Sequence, residues 1–167
     1  MKRLMFHSVL YFLIFALFLL GGKAQAQLTM HPMATVGYTY QNQNFGELGG
    51  KLLFLKKDEM LYRIGASALI GSVKGKISVI PKLQTDVLFN FSKGHSVKQP
   101  HYFVLGAEAT NKFFSPKLGI SAFGLIELSG GYAFPWNNQT LNGKTLKGVN
   151  FNCTFNIPLV VFFGKKS

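Results

Sequence analysis

The sequence has few charged residues and almost no cysteine. Charged residues make up 14% of the 167 positions, whereas roughly 25% is usual in soluble domains. The single cysteine, Cys153, excludes a disulfide within the chain. No apolar run after residue 20 reaches the about 20 residues that a transmembrane helix requires. Because hydrophobic residues still make up 48% of the chain, we expect the apolar side chains to be distributed over strands.

Motifs that specify chemistry are also lacking. His31, His95 and His101 are scattered and do not have the spacing of metal ligands. Residues 71–76 are one residue short of a phosphate-binding loop and lie between predicted strands, so we interpret them as a turn. The sequence therefore predicts no metal, no cofactor and no enzyme activity. One alternative stays open, because His95 and His101 flank one loop and could serve a lipid-modifying barrel enzyme if a serine and a carboxylate lay beside them.

The N-terminal segment has the features of an export signal. Lys2 and Arg3 precede an apolar stretch at residues 9–20, and Ala24-Gln25-Ala26 forms a small-x-small cleavage site. We predict a cleavable signal peptide at residues 1–26 and a single mature domain at residues 27–167. The alternative is an uncleaved signal anchor, since the apolar stretch is long.

Basic residues outnumber acidic residues in the predicted mature chain. Removal of Lys2, Arg3 and Lys23 leaves 15 basic and 6 acidic residues, a net charge of +9. Because an exported chain rarely meets nucleic acid, we expect no nucleic-acid partner. The lysines in predicted turns could attract anionic lipid headgroups, or they could only solvate the loops.

Eight segments have the alternation of apolar and polar residues that is typical of β-strands. Pro81 is expected to weaken the first part of its strand, since proline lacks a backbone donor. We predict turns at residues 112–116 and 124–126, although residues 117–134 could also form one long strand. Strands of this length suit a transmembrane barrel, in which about 9–11 tilted residues cross the bilayer. The predicted strands are 33–40, 45–55, 60–71, 76–91, 101–111, 117–123, 127–134 and 149–159.

The charged residues of the predicted strands share one face. Successive side chains of a strand point to opposite faces, and the face opposite the charged one carries no Asp, Glu, Lys or Arg. In a soluble barrel or sandwich the charged face would be exposed to solvent, whereas in a membrane barrel it would line the interior. The residues on this face are Glu47, Lys51, Arg63, Lys82, Asp86, Glu108, Lys117 and Glu127.

Small residues and aromatic residues favour the membrane barrel. The charged face also carries many glycines and serines, such as Gly49, Gly131 and Ser129. A narrow eight-stranded barrel has room only for side chains, and buried charges are tolerated there when they are paired. Aromatic residues lie near the ends of the predicted strands, where interfacial belts form.

Four features of the sequence point to one known family. They are the signal-peptide end, the alternating strands with glycine on the charged face, the segment Gly130-Gly131-Tyr132-Ala133-Phe134 and the closing strand 149–159. In these features the chain resembles the small outer-membrane β-barrel proteins of Gram-negative bacteria. The resemblance implies an all-β fold, an antiparallel up-and-down transmembrane barrel of eight strands. It also implies location in the cell outer membrane, with outer-membrane lipid and the barrel-assembly machinery as partners.

We therefore expect a non-catalytic, porin-like outer-membrane barrel with a polar interior filled by side chains. Its role would be structural, or would consist of binding a surface protein or ligand through loops 41–44, 72–75, 112–115 and 136–147. Two alternatives remain: a secreted soluble β-barrel that binds a small apolar ligand, and a small barrel enzyme that modifies membrane lipid. The expected interior charge network consists of Glu47, Lys51, Arg63, Lys82, Asp86, Glu108 and Glu127.

Overall fold

The computed structural model describes residues 29–55, 60–90 and 101–160. The predicted signal peptide, the turn at 56–59 and the loop that contains His95 lie outside these residues.

Strands dominate the described residues, as the alternation of the sequence predicts. One 3₁₀ helix, Trp136–Asn138, follows the seventh strand. The strands are β1 (Thr29–Gln41), β2 (Asn44–Leu55), β3 (Met60–Val73), β4 (Lys76–Asn90), β5 (His101–Thr110), β6 (Phe113–Ala122), β7 (Ile126–Pro135), β8 (Thr140–Leu141), β9 (Lys144–Thr145) and β10 (Gly148–Pro158).

Eight of these strands form a closed antiparallel barrel. The order around the barrel is β1-β10-β7-β6-β5-β4-β3-β2, and β8 and β9 form a separate two-stranded hairpin. Each barrel strand pairs with the barrel strand before and after it in the chain, and β10 closes the barrel against β1 through nine aligned residue pairs, from Met33–Pro158 to Gln41–Asn150. Closure gives every barrel strand a partner on both sides, so no strand lies at the edge of the sheet. The predicted all-β, eight-stranded, up-and-down barrel is confirmed.

The two ends of the barrel differ. The start of β1 and the end of β10 lie at one end, since Met33 pairs with Pro158; we call it the terminal end. At the opposite end, the loop end, β1 connects to β2, β3 to β4, β5 to β6, and β7 to β10. The loop end therefore carries all four of the segments that the sequence analysis named as surface loops.

The predicted turn at residues 112–116 is wrong, because β6 already begins at Phe113. The Thr110 hydroxyl accepts hydrogen bonds from the backbone N–H groups of Lys112, at 3.0 Å, and Phe113, at 2.9 Å. These bonds close a tight turn at Asn111 and Lys112, so β6 starts four residues before the predicted strand 117–123. Pro116 pairs with Ala107 of β5.

The turn between β6 and β7 divides residues 117–134 into two strands. Phe123 and Gly124 have left-handed backbone angles, with φ of 57° and 68°. The Leu125 N–H donates to the Ala122 carbonyl at 3.0 Å, and β7 begins at Ile126. The two-strand prediction is confirmed, with the turn one residue earlier than expected.

Pro81 does not interrupt β4. It pairs with Ala68 of β3, whereas the ladder between β4 and β5 begins only at Lys82. Pro81 thus lies where β4 has a single neighbour, a position that tolerates the missing N–H.

Candidate functional site

The barrel wall separates side chains by polarity. Glu108 and Arg63 are each 1% exposed, whereas Phe103 is 43% and Phe155 is 48% exposed. The same alternation holds along β10, where four polar residues from Asn150 to Asn156 are buried. The charged face therefore lines the interior, and the apolar face forms the outer wall.

One ion network lies toward the terminal end of the interior and is centred on Arg63. The Arg63 guanidinium donates to Asp86 through Nε, at 3.0 Å, and lies 2.9 Å from the same oxygen through Nη2. It also pairs with Glu127 on β7, on the opposite side of the barrel. Lys117 Nζ lies 3.2 Å from Asp86 Oδ1 and 3.4 Å from Glu127 Oε1. Lys51 completes the network with an ion pair of 3.8 Å to Glu127.

A second network lies nearer the loop end and is centred on Lys82. Its Nζ donates to Glu47 at 2.6 Å and lies 3.5 Å from Glu108. Glu47 also accepts hydrogen bonds from the hydroxyls of Thr39, at 3.0 Å, and Ser67, at 2.8 Å. Hydroxyl donors of this kind compensate a carboxylate for the water that it loses on burial.

Asparagines of β10 extend the second network across the barrel. Asn150 Nδ2 donates to Glu108 at 2.8 Å and to Gln41 at 2.9 Å. Asn152 Nδ2 donates to Asn150 Oδ1 at 2.6 Å, and Asn152 Oδ1 accepts a bond from the Thr39 hydroxyl at 2.7 Å. Asn150 and Asn152 are not members of the interior network that the sequence predicts, although both are buried on the same face of β10.

The interior charges balance. The structure brings together all seven residues of the expected network and adds Lys117, so that four carboxylates face four cations. Each of the eight has at least one ion pair within 4 Å. A balanced set of paired charges is the form in which buried ions are tolerated.

Apolar side chains close the interior at both ends, a feature that the sequence analysis missed. At the terminal end, Leu61, Leu88 and Val104 form a cluster with Leu53, Leu55 and Tyr102. The sequence contains a signal for this cluster, because the alternation of each strand points these residues to the same side as the charged residues. At the loop end the cluster consists of Phe45, Leu69, Val73, Ile80, Phe113, Ala133 and Leu146.

The segment between β7 and β10 covers the loop end of the barrel. Leu146 is fully buried, and its carbonyl accepts a hydrogen bond of 3.1 Å from Gln41 Nε2. Asn142 Nδ2 donates to the Val73 carbonyl at 3.3 Å. Lys74 Nζ donates to the Gly143 carbonyl at 2.9 Å, and Lys144 Nζ donates to Gln43 Oε1 at 2.7 Å. We call residues 136–147 the lid, since these bonds hold the segment across the barrel mouth.

The residues considered for catalysis or metal binding do not converge in the part of the chain that the structure describes. His101 begins β5 and its ring lies 5.7 Å from that of Phe123, while His95 lies outside the described residues. No group of three or more His, Cys, Asp or Glu residues within ranges 29–55, 60–90 and 101–160 could hold a metal ion. Cys153 lies on the outer face of β10 and is half-buried.

Helices long and apolar enough to cross a membrane are absent from the described ranges.

Comparison of the chain with models of protein families and with curated proteins found no match.

Proposed function

We propose that this chain is an integral outer-membrane protein without catalytic activity, whose barrel crosses the bilayer and whose interior is filled by side chains. The observation that carries the proposal is the outer wall. Val36, Leu48, Leu83 and Leu118 are 46%, 62%, 65% and 53% exposed. Every Asp, Glu, Lys and Arg in the eight barrel strands is buried except Lys76, the first residue of β4 at the loop end. Soluble monomers rarely expose apolar patches larger than a few hundred Å², whereas lipid requires such a wall.

The interior supports a closed barrel. The two ion networks occupy the middle of the interior, and the apolar clusters and the lid cover both ends. Eight strands leave an interior just wide enough for side chains. A structural role, or binding of a surface protein or ligand at the loop end, therefore fits the geometry better than conduction.

The soluble-carrier alternative has one observation in its favour. An apolar groove of about 560 Å³ lies on the outer wall and is lined by Leu52, Ile64, Ala66 and Leu83 among other residues. A carrier would need such a site inside the barrel, where the structure places paired charges. In the proposed bilayer, lipid chains would cover this groove.

Membrane fractionation tests the proposal. We expect the chain in the outer-membrane fraction, resistant to carbonate extraction, with an electrophoretic mobility that changes when the sample is heated. Such heat-modifiable mobility reports a folded barrel in detergent. Recovery of the chain as a soluble periplasmic protein would refute insertion and favour the carrier.

The lipid-enzyme alternative needs a separate assay, because an inserted barrel could still be an enzyme. We expect His95→Ala and His101→Ala to leave the lipid composition of the membrane unchanged. A change in lipid acylation on expression of the wild type, lost in either variant, would favour the enzyme.

A further inference from the structure

All exposed charge in the described residues is positive and lies at one end of the barrel. The four carboxylates of these residues are buried in the interior networks, together with four of the cations. The remaining charged residues are five lysines, none of them buried, and every one lies at the loop end. They are Lys74, Lys76, Lys112, Lys144 and Lys147.

Two of the five lysines hold the lid, and three are free of such contacts. Lys74 and Lys144 donate to a carbonyl and an amide oxygen, which are neutral acceptors and leave the positive charge uncompensated. Lys76, Lys112 and Lys147 form no ion pair with the carboxylates that the structure describes. We call these three residues the rim lysines.

The rim lysines lie at the boundary of the apolar outer wall. Lys76 precedes Ile77, which is 83% exposed, and Lys147 lies two residues before Val149, which is 66% exposed. Lys112 lies two residues before the outward-facing Phe114. The Lys112 carbonyl accepts a hydrogen bond of 3.0 Å from the backbone N–H of Trp136. The three residues therefore lie at the level where the apolar outer wall ends.

We propose that the rim lysines bind the phosphate groups of the lipids that surround the loop end of the barrel. The proposal rests on the membrane insertion proposed above. At the edge of an apolar band, a lysine lays its aliphatic stem along the wall and places its ammonium among the headgroups. Anionic lipid attracts such a residue by an amount that decays within a Debye length.

The distribution of the rim lysines favours lipid over a soluble polyanion. They belong to β4, to the turn between β5 and β6, and to the segment before β10, so they are spread along the circumference. Three separate positions beside the wall match a ring of lipid headgroups. A nucleic acid or an acidic protein would instead need a continuous basic surface on top of the lid.

Lipid association can be measured on the folded barrel in phosphatidylcholine vesicles that contain a trace of spin-labelled lipid. We expect spin-labelled phosphatidylglycerol to associate about fivefold more strongly than spin-labelled phosphatidylcholine. The preference should fall as the salt concentration rises. The variant K76Q/K112Q/K147Q should lose most of the preference, whereas K76R/K112R/K147R should keep it in full.

The outcomes separate this inference from the proposed function. Heat-modifiable mobility and carbonate resistance, measured on each variant, report folding and insertion. A barrel that inserts but shows no preference, or a preference that the glutamine variant retains, overturns the rim site alone. Failure of the wild type to insert overturns both proposals. Lysine-dependent binding of a single-stranded oligonucleotide or of polyglutamate, without a lipid preference, would assign the rim to a macromolecule and also overturn the inference.

Discussion

Replacement of Arg63 by methionine tests the interior network most directly. The guanidinium joins Asp86 on the neighbouring strand to Glu127 on the far side of the barrel, and it is 1% exposed. Methionine fills a similar volume without charge or donors. The variant leaves four carboxylates facing three cations in a space that has no room for bulk water.

The expected cost follows from the contacts that remain. Breaking a buried ion pair by removing one partner costs about 3–5 kcal/mol, because the other charge stays buried. Lys117 still lies 3.2 Å from Asp86 and 3.4 Å from Glu127, so we expect the lower limit. A loss of about 3 kcal/mol lowers the ratio of folded to unfolded protein more than about 100-fold.

This loss is measured by urea unfolding of the barrel in phospholipid vesicles. The unfolding is monitored by the fluorescence of Trp136, the only tryptophan in the sequence, and by heat-modifiable mobility. Lys51→Met is the matched control, because it removes the same charge but only one ion pair, of 3.8 Å, and should cost less. Arg63→Met combined with Glu127→Gln restores the charge balance and should recover part of the stability. If Arg63→Met unfolds at the same urea concentration as the wild type, the network does not stabilise the barrel and our reasoning is refuted.

Further predictions concern packing, the outer wall and conduction. Gly131→Ala should destabilise the barrel by about 1–3 kcal/mol through overpacking, because a Cβ there would collide with the Pro116 carbonyl. Gly130→Ala should be nearly neutral in the same urea assay, since its Cβ would meet a backbone oxygen only at 3.6 Å; equal losses would contradict the assignment of the two faces. Leu118→Lys should cost about 2–4 kcal/mol in vesicles if this side chain faces the bilayer midplane, but within about 0.5 kcal/mol if it faces water. In planar bilayers we expect no steady single-channel current from the wild type or from a variant lacking residues 140–145, because the ion networks fill the barrel below the lid. A steady current from the wild type would contradict a filled interior.

Much of the fold follows from the two-residue period of the sequence. The alternation places Leu105 and Glu108 on opposite faces, whatever the neighbouring strands are. The predicted turn at residues 112–116 is longer than the observed turn, which ends before β6 begins at Phe113. The bonds to the Thr110 hydroxyl that close the turn earlier depend on the conformation of the folded turn.

The candidate site could be predicted only as a set of residues. The sequence assigns Arg63 and Glu127 to one face, but 64 positions separate them and nothing in the local pattern pairs them. The alternation of their strands points Leu61 and Leu88 to the same side as the charged residues. Their place in an apolar layer becomes evident only when the strands are in register.

The sequence by itself determined which side chains share a face, because strand geometry alternates residue by residue. It also determined that few charges are available and that acidic residues are scarcer than basic ones. The tertiary structure decided which ions meet, since closure of β1 against β10 brings β3 and β7 to opposite walls of one narrow interior. It also decided that the lid covers the loop end and that the unburied lysines of ranges 29–55, 60–90 and 101–160 lie there, because those positions depend on strand register and barrel closure.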